Sequence, residues 1–286
     1  MSRIEDALKK LRRATPPASG SGSTASGRAV ERSAVPPADK KKIVIEGAKH
    51  HVSENALIKS GLLAPLDQAV SVADQFRRIK RPLIFNATKK SNTVEPTNVI
   101  MIASAMPGAG KTFCAVNLAV SISLERELNV LLVDADVPKP HISREFGLGD
   151  APGLIDALLD VDANVADMLV RTDLNDIQVL PAGRSHPQAT ELLASDRMSR
   201  IVHELASRYP DRIILLDSPP LLMTSEAQAL ANQVGQIALI VEAGKTSHQM
   251  LAQTLETLDS SKSINLILNK ARHGGEYGYY AHDKSA

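Results

Sequence analysis

Cysteine is nearly absent: Cys114 is the sole thiol in 286 residues, which excludes an intramolecular disulfide and leaves too few ligands for a thiolate metal site. Long apolar runs are missing as well. The longest, such as Val130 to Val133 and Ile213 to Leu216, have strand length, against the ~20 residues that span a bilayer. The opening Met1-Ser-Arg-Ile-Glu-Asp6 has no apolar core of the kind a signal peptide needs, so a cytoplasmic setting is expected. There is also no excess of one charge. A net charge of +1 gives no global electrostatic case for a nucleic-acid partner, and none is expected. The charge is unevenly placed, however: residues 1–42 hold ten Lys or Arg against four Asp or Glu, a local +6 that leaves −5 on the rest.

What is present is enough apolar material for a sizeable core, 43% hydrophobic against 23% charged residues. Residues 1–14 place Ile4, Leu8 and Leu11 at helical spacing, with Lys9, Lys10, Arg12 and Arg13 available to the other face. Such a basic amphipathic helix can lie on an anionic membrane surface, dock on a partner, or remain a solvated terminus. Residues 15–42, rich in Ser, Gly, Ala and Pro, read as a flexible linker. Residues 43–96 begin with the apolar run Ile43 to Ile45 and predict helices at Glu54 to Ser60 and Leu66 to Lys80. From Asn98 the pattern becomes strand-length apolar runs alternating with helical segments. Strands are expected at 98–103, 129–133, 177–180, 212–216, 236–241 and 264–268, forming a mostly parallel sheet with helices on both faces of an α/β domain over 97–270. Residues 271–286 form a tail.

Three strand ends carry the chemistry. The apolar run Val99 to Ser104 leads into Ala105-Met-Pro-Gly-Ala-Gly-Lys111-Thr112, and a helix is expected from Phe113 to about Glu127. In a strand, loop and helix of this kind, Gly108 and Gly110 let backbone N–H groups turn toward phosphate oxygens. Lys111 reaches the terminal phosphates and Thr112 offers a hydroxyl to magnesium. A second run, Asn129 to Val133, ends in Asp134-Ala-Asp136. A third, Arg212 to Leu216, ends in Asp217-Ser-Pro-Pro220. Carboxylates at the carboxyl ends of parallel strands face the crevice where such sheets bind ligands, and their hard oxygens suit Mg2+. An ATP- and Mg2+-binding P-loop domain is the reading these residues carry by themselves.

These motifs resemble the bacterial tyrosine kinases of capsule and exopolysaccharide synthesis: Pro107-Gly-Ala-Gly-Lys-Thr112 as Walker A, Leu131-Leu-Val-Asp-Ala-Asp136 as Walker A′, Ile214-Leu-Leu-Asp-Ser-Pro-Pro220 as Walker B, and a tyrosine-rich tail, Tyr277-Gly-Tyr-Tyr280. The start and the stretch Gln75 to Leu83 are most similar to the exosortase-associated autokinase branch. The resemblance implies catalytic roles for Lys111, Asp134, Asp136 and Asp217. It implies an ATP site of Pro107, Gly108, Ala109, Gly110, Lys111, Thr112, Phe113 and Asn269, and Mg2+ held by Thr112, Asp136 and Asp217. Asp134 is the candidate to orient or deprotonate a tyrosine hydroxyl, with the two Walker A′ roles open to exchange. Asn269 either touches adenine or simply ends its strand.

The resemblance further implies autophosphorylation in trans on Tyr277, Tyr279 and Tyr280 within a homo-oligomeric ring. Asp74, Arg77 and Lys80 match the ends and middle of an oligomerisation motif with altered end residues. A membrane adaptor of the polysaccharide co-polymerase type and a place on the inner face of the cytoplasmic membrane also follow from it. Two positions depart from the family pattern: Ala109 where Glu is common, and Pro138 where an arginine is usual, with Lys139 beside it. The competing reading is a partition or septum-site type regulatory ATPase. Those relatives carry a lysine early in the loop, where this chain has Met106.

Overall fold

The computed structural model describes residues 49–88, 95–209 and 211–271. The expected helix at 2–14, the linker, the Ile43 to Ile45 run and the tail with Tyr277, Tyr279 and Tyr280 lie outside the described residues. In chain order the elements are α1 (Glu54–Lys59), α2 (Ala69–Thr88), β1 (Val99–Ser104), α3 (Lys111–Ser123), β2 (Asn129–Asp134), α4 (His141–Glu145) and α5 (Leu154–Leu159). Next come β3 (Val170–Arg171), β4 (Gln178–Leu180), α6 (Ala189–Leu193), α7 (Asp196–Arg208), β5 (Arg212–Asp217), α8 (Ser225–Asn232), β6 (Gln236–Glu242), α9 (His248–Glu256) and β7 (Ser263–Asn269). Among the described residues the strands form one sheet in the order β3-β4-β2-β5-β1-β6-β7. Its pairings are parallel except for β3 with β4.

All six expected strands are present. The seventh, β3, is a two-residue antiparallel edge strand, too short to carry a period in the sequence. The central strands are apolar along their whole length because both faces are covered. Val99, Met101, Ala103, Ile214 and Leu216 point into one core, beneath α5 to α9. Ile100, Ile102, Ile213 and Leu215 point into the other, beneath α1 to α4. Residues 49–52 are anchored at the β3 edge, where His50 bridges Thr172 and Val52 N–H donates to Asp173 at 2.9 Å.

Helix α2 runs eight residues beyond its predicted end at Lys80 and passes through Pro82. Proline removes a backbone donor and disfavours a helix interior. Tertiary contacts override that local cost: Leu83 is fully buried, its carbonyl accepts from Gln236 Nε2 at 3.1 Å, and Asn86 Nδ2 donates to Ser263 Oγ at 3.1 Å. At the start of the same helix, Leu66 is 83% exposed and lies in a turn, not in the helix predicted to begin there.

The topology creates the site. From β1 the chain crosses to β2 and later returns to place β5 between them, while β6 pairs on the opposite side of β1. Connections therefore leave β1 and β5 in opposite directions, opening a crevice at their carboxyl ends.

Candidate nucleotide site

The loop from Ala105 to Gly110 joins β1 to α3 and contains two left-handed glycines, Gly108 at φ +82° and Gly110 at φ +94°. Gly110 precedes α3 without a side-chain cap, so the first N–H groups of a thirteen-residue helix are left for an anion. A side chain at Gly110 is blocked twice, by its φ and by Asn269, whose amide nitrogen would lie 2.2 Å from an added Cβ. Asn269 instead donates to the Ala109 carbonyl at 2.8 Å, and Lys270 Nζ donates to the Gly108 carbonyl at 2.6 Å. Phe113 turns its ring into the core, 6.2 Å from Phe76, so only its backbone can serve the loop.

Asp134 and Asp217 are partners in the β2–β5 register and both are fully buried. One oxygen of Asp134 accepts from the Ser143 N–H and hydroxyl, each at 2.7 Å. Ser143 Oγ in turn accepts from Ala182 N–H at 2.9 Å, tying α4 and the segment after β4 to this strand end. The other oxygen of Asp134 and both oxygens of Asp217 make no well-formed hydrogen bond. The Thr112 hydroxyl approaches Asp217 and favours its charged form without closing such a bond. Burial is the leading influence on all three acidic groups. It pushes Asp217 up to about 8, helped by the neighbouring Asp134 charge, and Asp134 up to about 6 against the pull of Ser143. Asp136, half-buried, is also raised by burial, with Lys111, His141 and Lys139 pulling it back. Lys111 is only 8% exposed; burial lowers its pKa while Asp217 and Asp136 raise it.

Buried carboxylate oxygens without donors fit a hard cation. Among the described residues no cluster of three or more His, Cys, Asp or Glu could hold a metal ion alone. A cation bound beside phosphate needs only one or two protein oxygens, its shell being completed by phosphate and water. Thr112, Asp136 and Asp217 have the donor chemistry for Mg2+.

The structure thus brings together Gly108, Ala109, Gly110, Lys111, Thr112, Asp134, Asp136, Asp217 and Asn269, while Pro107 sits exposed at the rim. Lys80 lies away from them: it is buried, donates to the Ser121 carbonyl at 2.5 Å and pairs with Glu125 at 2.7 Å, clamping α2 onto α3. Asp74 and Arg77 remain exposed and pair with each other. Ser143, which serves Asp134 nine residues away, and Glu242, which pairs with Lys245 and Lys270, stand in no motif and so were not among the residues expected from the sequence.

A stability consequence follows. Carboxyl groups whose pKa is raised on folding stabilise the fold while protonated and withdraw that stability as pH climbs toward the folded value. The nucleotide-free protein is therefore expected to lose stability between about pH 5 and pH 8, measured by thermal melts across that range. A profile that rises steadily over the interval would contradict the placement of Asp134 and Asp217.

The AAA domain family matches residues 97–270. Tyrosine-protein kinase YwqD of Bacillus subtilis (strain 168) is 32% identical over 212 residues, covering 73% of this chain and 86% of that protein. Tyrosine-protein kinase wzc of Salmonella typhimurium is 26% identical over 245 residues, and the chain spans only 32% of its length. Among solved structures, the kinase domain of the Escherichia coli tyrosine kinase ETK superposes with a TM-score of 0.61 at 23% identity, over 84% of this chain and 90% of that one. That last match speaks for the fold alone. The Walker motifs, the sheet that assembles them and the extent of the match to YwqD together place the chain in the bacterial tyrosine-protein kinase family.

Proposed function

We propose that the chain is a Mg2+-dependent protein-tyrosine autokinase that transfers the γ-phosphoryl group of ATP to tyrosines of its own tail, Tyr277, Tyr279 and Tyr280, and that it serves exopolysaccharide synthesis. The observation that carries this reading is the convergence of an uncapped α3 N-terminus, the Lys111 ammonium and the bare carboxylate of Asp217 on one crevice. Lys111 holds the β and γ phosphates, and the loop N–H groups orient them. When bound, Mg2+ supplies charge neutralisation between the phosphate oxygens, held by Thr112, Asp136 and Asp217. Asp134, with one oxygen free and its pKa raised to about 6, suits the role of proton acceptor for a tyrosine hydroxyl near neutral pH. Asp136 is the more exposed of the pair, so exchange of their roles stays open to test.

Transfer in trans is the arrangement proposed, and reach alone does not select it, because β7 ends against the phosphate loop of its own subunit. Residues 270–276 separate β7 from Tyr277, a tether of about 25 Å at ~3.3–3.6 Å per residue. In a ring, Asp74 and Arg77 on the exposed side of α2 are the contact residues we assign to the neighbouring subunit, with Lys80 anchoring the helix from behind. Each phosphate added to the tail brings roughly −1.5 to −2 charge, which loosens the ring. Among the described residues no helix is long and apolar enough to cross a membrane. Recruitment to the inner membrane face is accordingly assigned to residues 1–14 and to a co-polymerase type adaptor.

The test mixes two subunits: Lys111→Met with its tyrosines intact, and an active chain with Tyr277, Tyr279 and Tyr280 all changed to Phe. Phosphate is expected on the tail of the inactive subunit. If none appears there while wild-type chains label normally, transfer is in cis; if free phosphate accumulates with no phosphotyrosine at all, the partition-type ATPase reading replaces this one.

A further inference from the structure

The phosphate loop is held from outside by the end of the last strand. Asn269 Nδ2 reaches the Ala109 carbonyl and Lys270 Nζ the Gly108 carbonyl, at 2.8 and 2.6 Å. Across a planar trans peptide the C=O and the following N–H point in opposite directions. Fixing the Gly108 and Ala109 carbonyls toward β7 therefore turns the N–H groups of Ala109 and Gly110 away from it, leaving both to converge on an anion. Without those two donors each peptide unit is free to rotate and present its carbonyl to the phosphates instead.

Lys270 is itself held. Its backbone adopts the left-handed region at φ +57°, which a residue with a side chain rarely does and which is maintained where surrounding contacts over-determine it. Its ammonium lies 3.2 Å from Glu242 Oε1, and Lys245 lies 2.9 Å from the same oxygen. Glu242 is buried at the end of β6, in register with Asn269, and its backbone N–H donates to Thr246 Oγ1 at 3.0 Å. The neighbouring Ala243 N–H donates to the Asn269 carbonyl at 2.9 Å. The ends of β6 and β7 thus form one bracket with two donors aimed at consecutive carbonyls of the loop.

We propose that Asn269 and Lys270 are positioning residues for the phosphate loop, with Glu242 fixing the Lys270 ammonium, so that the end of β7 sets the orientation of the N–H groups that receive the nucleotide's phosphates. The proposal rests on the reading of this loop as a nucleotide site and gives Asn269 a task that does not involve the base.

The experiment measures equilibrium binding of ATP and of GTP to the full chain, together with melting of the nucleotide-free protein. Asn269→Ala and Lys270→Met are each expected to weaken both nucleotides by the same factor, about tenfold, as for loss of one or two well-placed hydrogen bonds. Melting temperatures should stay within about 3 °C of wild type, because the donors serve a surface loop and not the core. Lys270→Arg should recover most of the affinity. Glu242→Gln should cost about threefold and add nothing in the Lys270→Met background, since both act through one ammonium. Loss of ATP affinity with GTP affinity unchanged in Asn269→Ala would assign that amide to adenine and overturn the proposal. So would wild-type affinity in both Asn269→Ala and Lys270→Met, or affinity losses that merely follow losses of melting temperature. A wild-type chain that binds ATP but labels no tyrosine would overturn the kinase reading alone, because binding and transfer are read separately.

Discussion

Lys111→Met should abolish phosphotyrosine formation, by ~10³-fold or to background, while leaving the folded chain as stable as wild type or more so. The lysine follows Gly110 as the first residue of α3, 8% exposed, and its ammonium faces Asp217 and Asp136. Burial lowers its pKa, so in the nucleotide-free protein the charged form is partly unsupported and methionine of similar length removes that burden. In the complex the same ammonium meets phosphate charge, and its loss removes an interaction that grows as the γ-phosphoryl group leaves. A phosphotyrosine assay beside a thermal melt separates the two effects. Wild-type labelling in a folded Lys111→Met protein would remove the loop from the active centre. A melting temperature many degrees lower would recast Lys111 as a packing residue.

Asp217→Asn carries the second large effect, and its two parts have opposite signs. Asp217 is fully buried with neither oxygen in a well-formed hydrogen bond, and burial together with Asp134 lifts its pKa to about 8. A carboxyl group raised on folding costs stability above its unfolded pKa, increasingly so up to the folded value; here the full cost is on the order of a few kcal/mol. The amide never ionises. The nucleotide-free variant should accordingly melt about 5 °C or more above wild type at pH 8 and close to it at pH 5, which flattens the pH profile. Mg2+-supported transfer should fall at least ~10²-fold, because a neutral amide replaces the hard anionic oxygen the cation prefers. Unchanged transfer in Asp217→Asn would make the group structural. An equal melting temperature at pH 8 would show that its oxygens are solvated or paired after all.

The two substitutions probe one design. On the proposed reading, each group is poorly satisfied in the empty protein and is expected to gain its partner when nucleotide and cation enter, so Lys111 and Asp217 should matter more for transfer than for folding.

Much of the fold was legible in the sequence, for a local reason. A parallel strand covered on both faces is a short, mostly apolar run: Val99 to Ser104 leads into the phosphate loop, and Asn129 to Val133 and Arg212 to Leu216 stop directly at Asp134 and Asp217. Gly108, Gly110, Lys111 and Thr112 were readable because backbone conformation and helix start are properties of a few adjacent residues. The extent of α2 was not, since Pro82 argues locally against what Leu83, Gln236 and Ser263 enforce from a distance. The two-residue β3 has no period to detect.

The motif residues by themselves determined that this chain binds a nucleotide through a Walker-type loop, that its carboxylates stand at strand ends, and that it is kin to the tyrosine kinases. Only the tertiary structure decided which of those carboxylates is bare. Asp134 and Asp217 look alike as strand-end residues, yet Ser143 arrives from α4 to satisfy one oxygen of the first, while the Thr112 hydroxyl approaches the second without closing a well-formed bond. Likewise Lys80 reads as a surface lysine of a charged helix, and packing of α2 on α3 buries it against Glu125. Charge, burial and hydrogen-bond satisfaction depend on neighbours far away in the chain, which the sheet order brings together and a motif cannot encode.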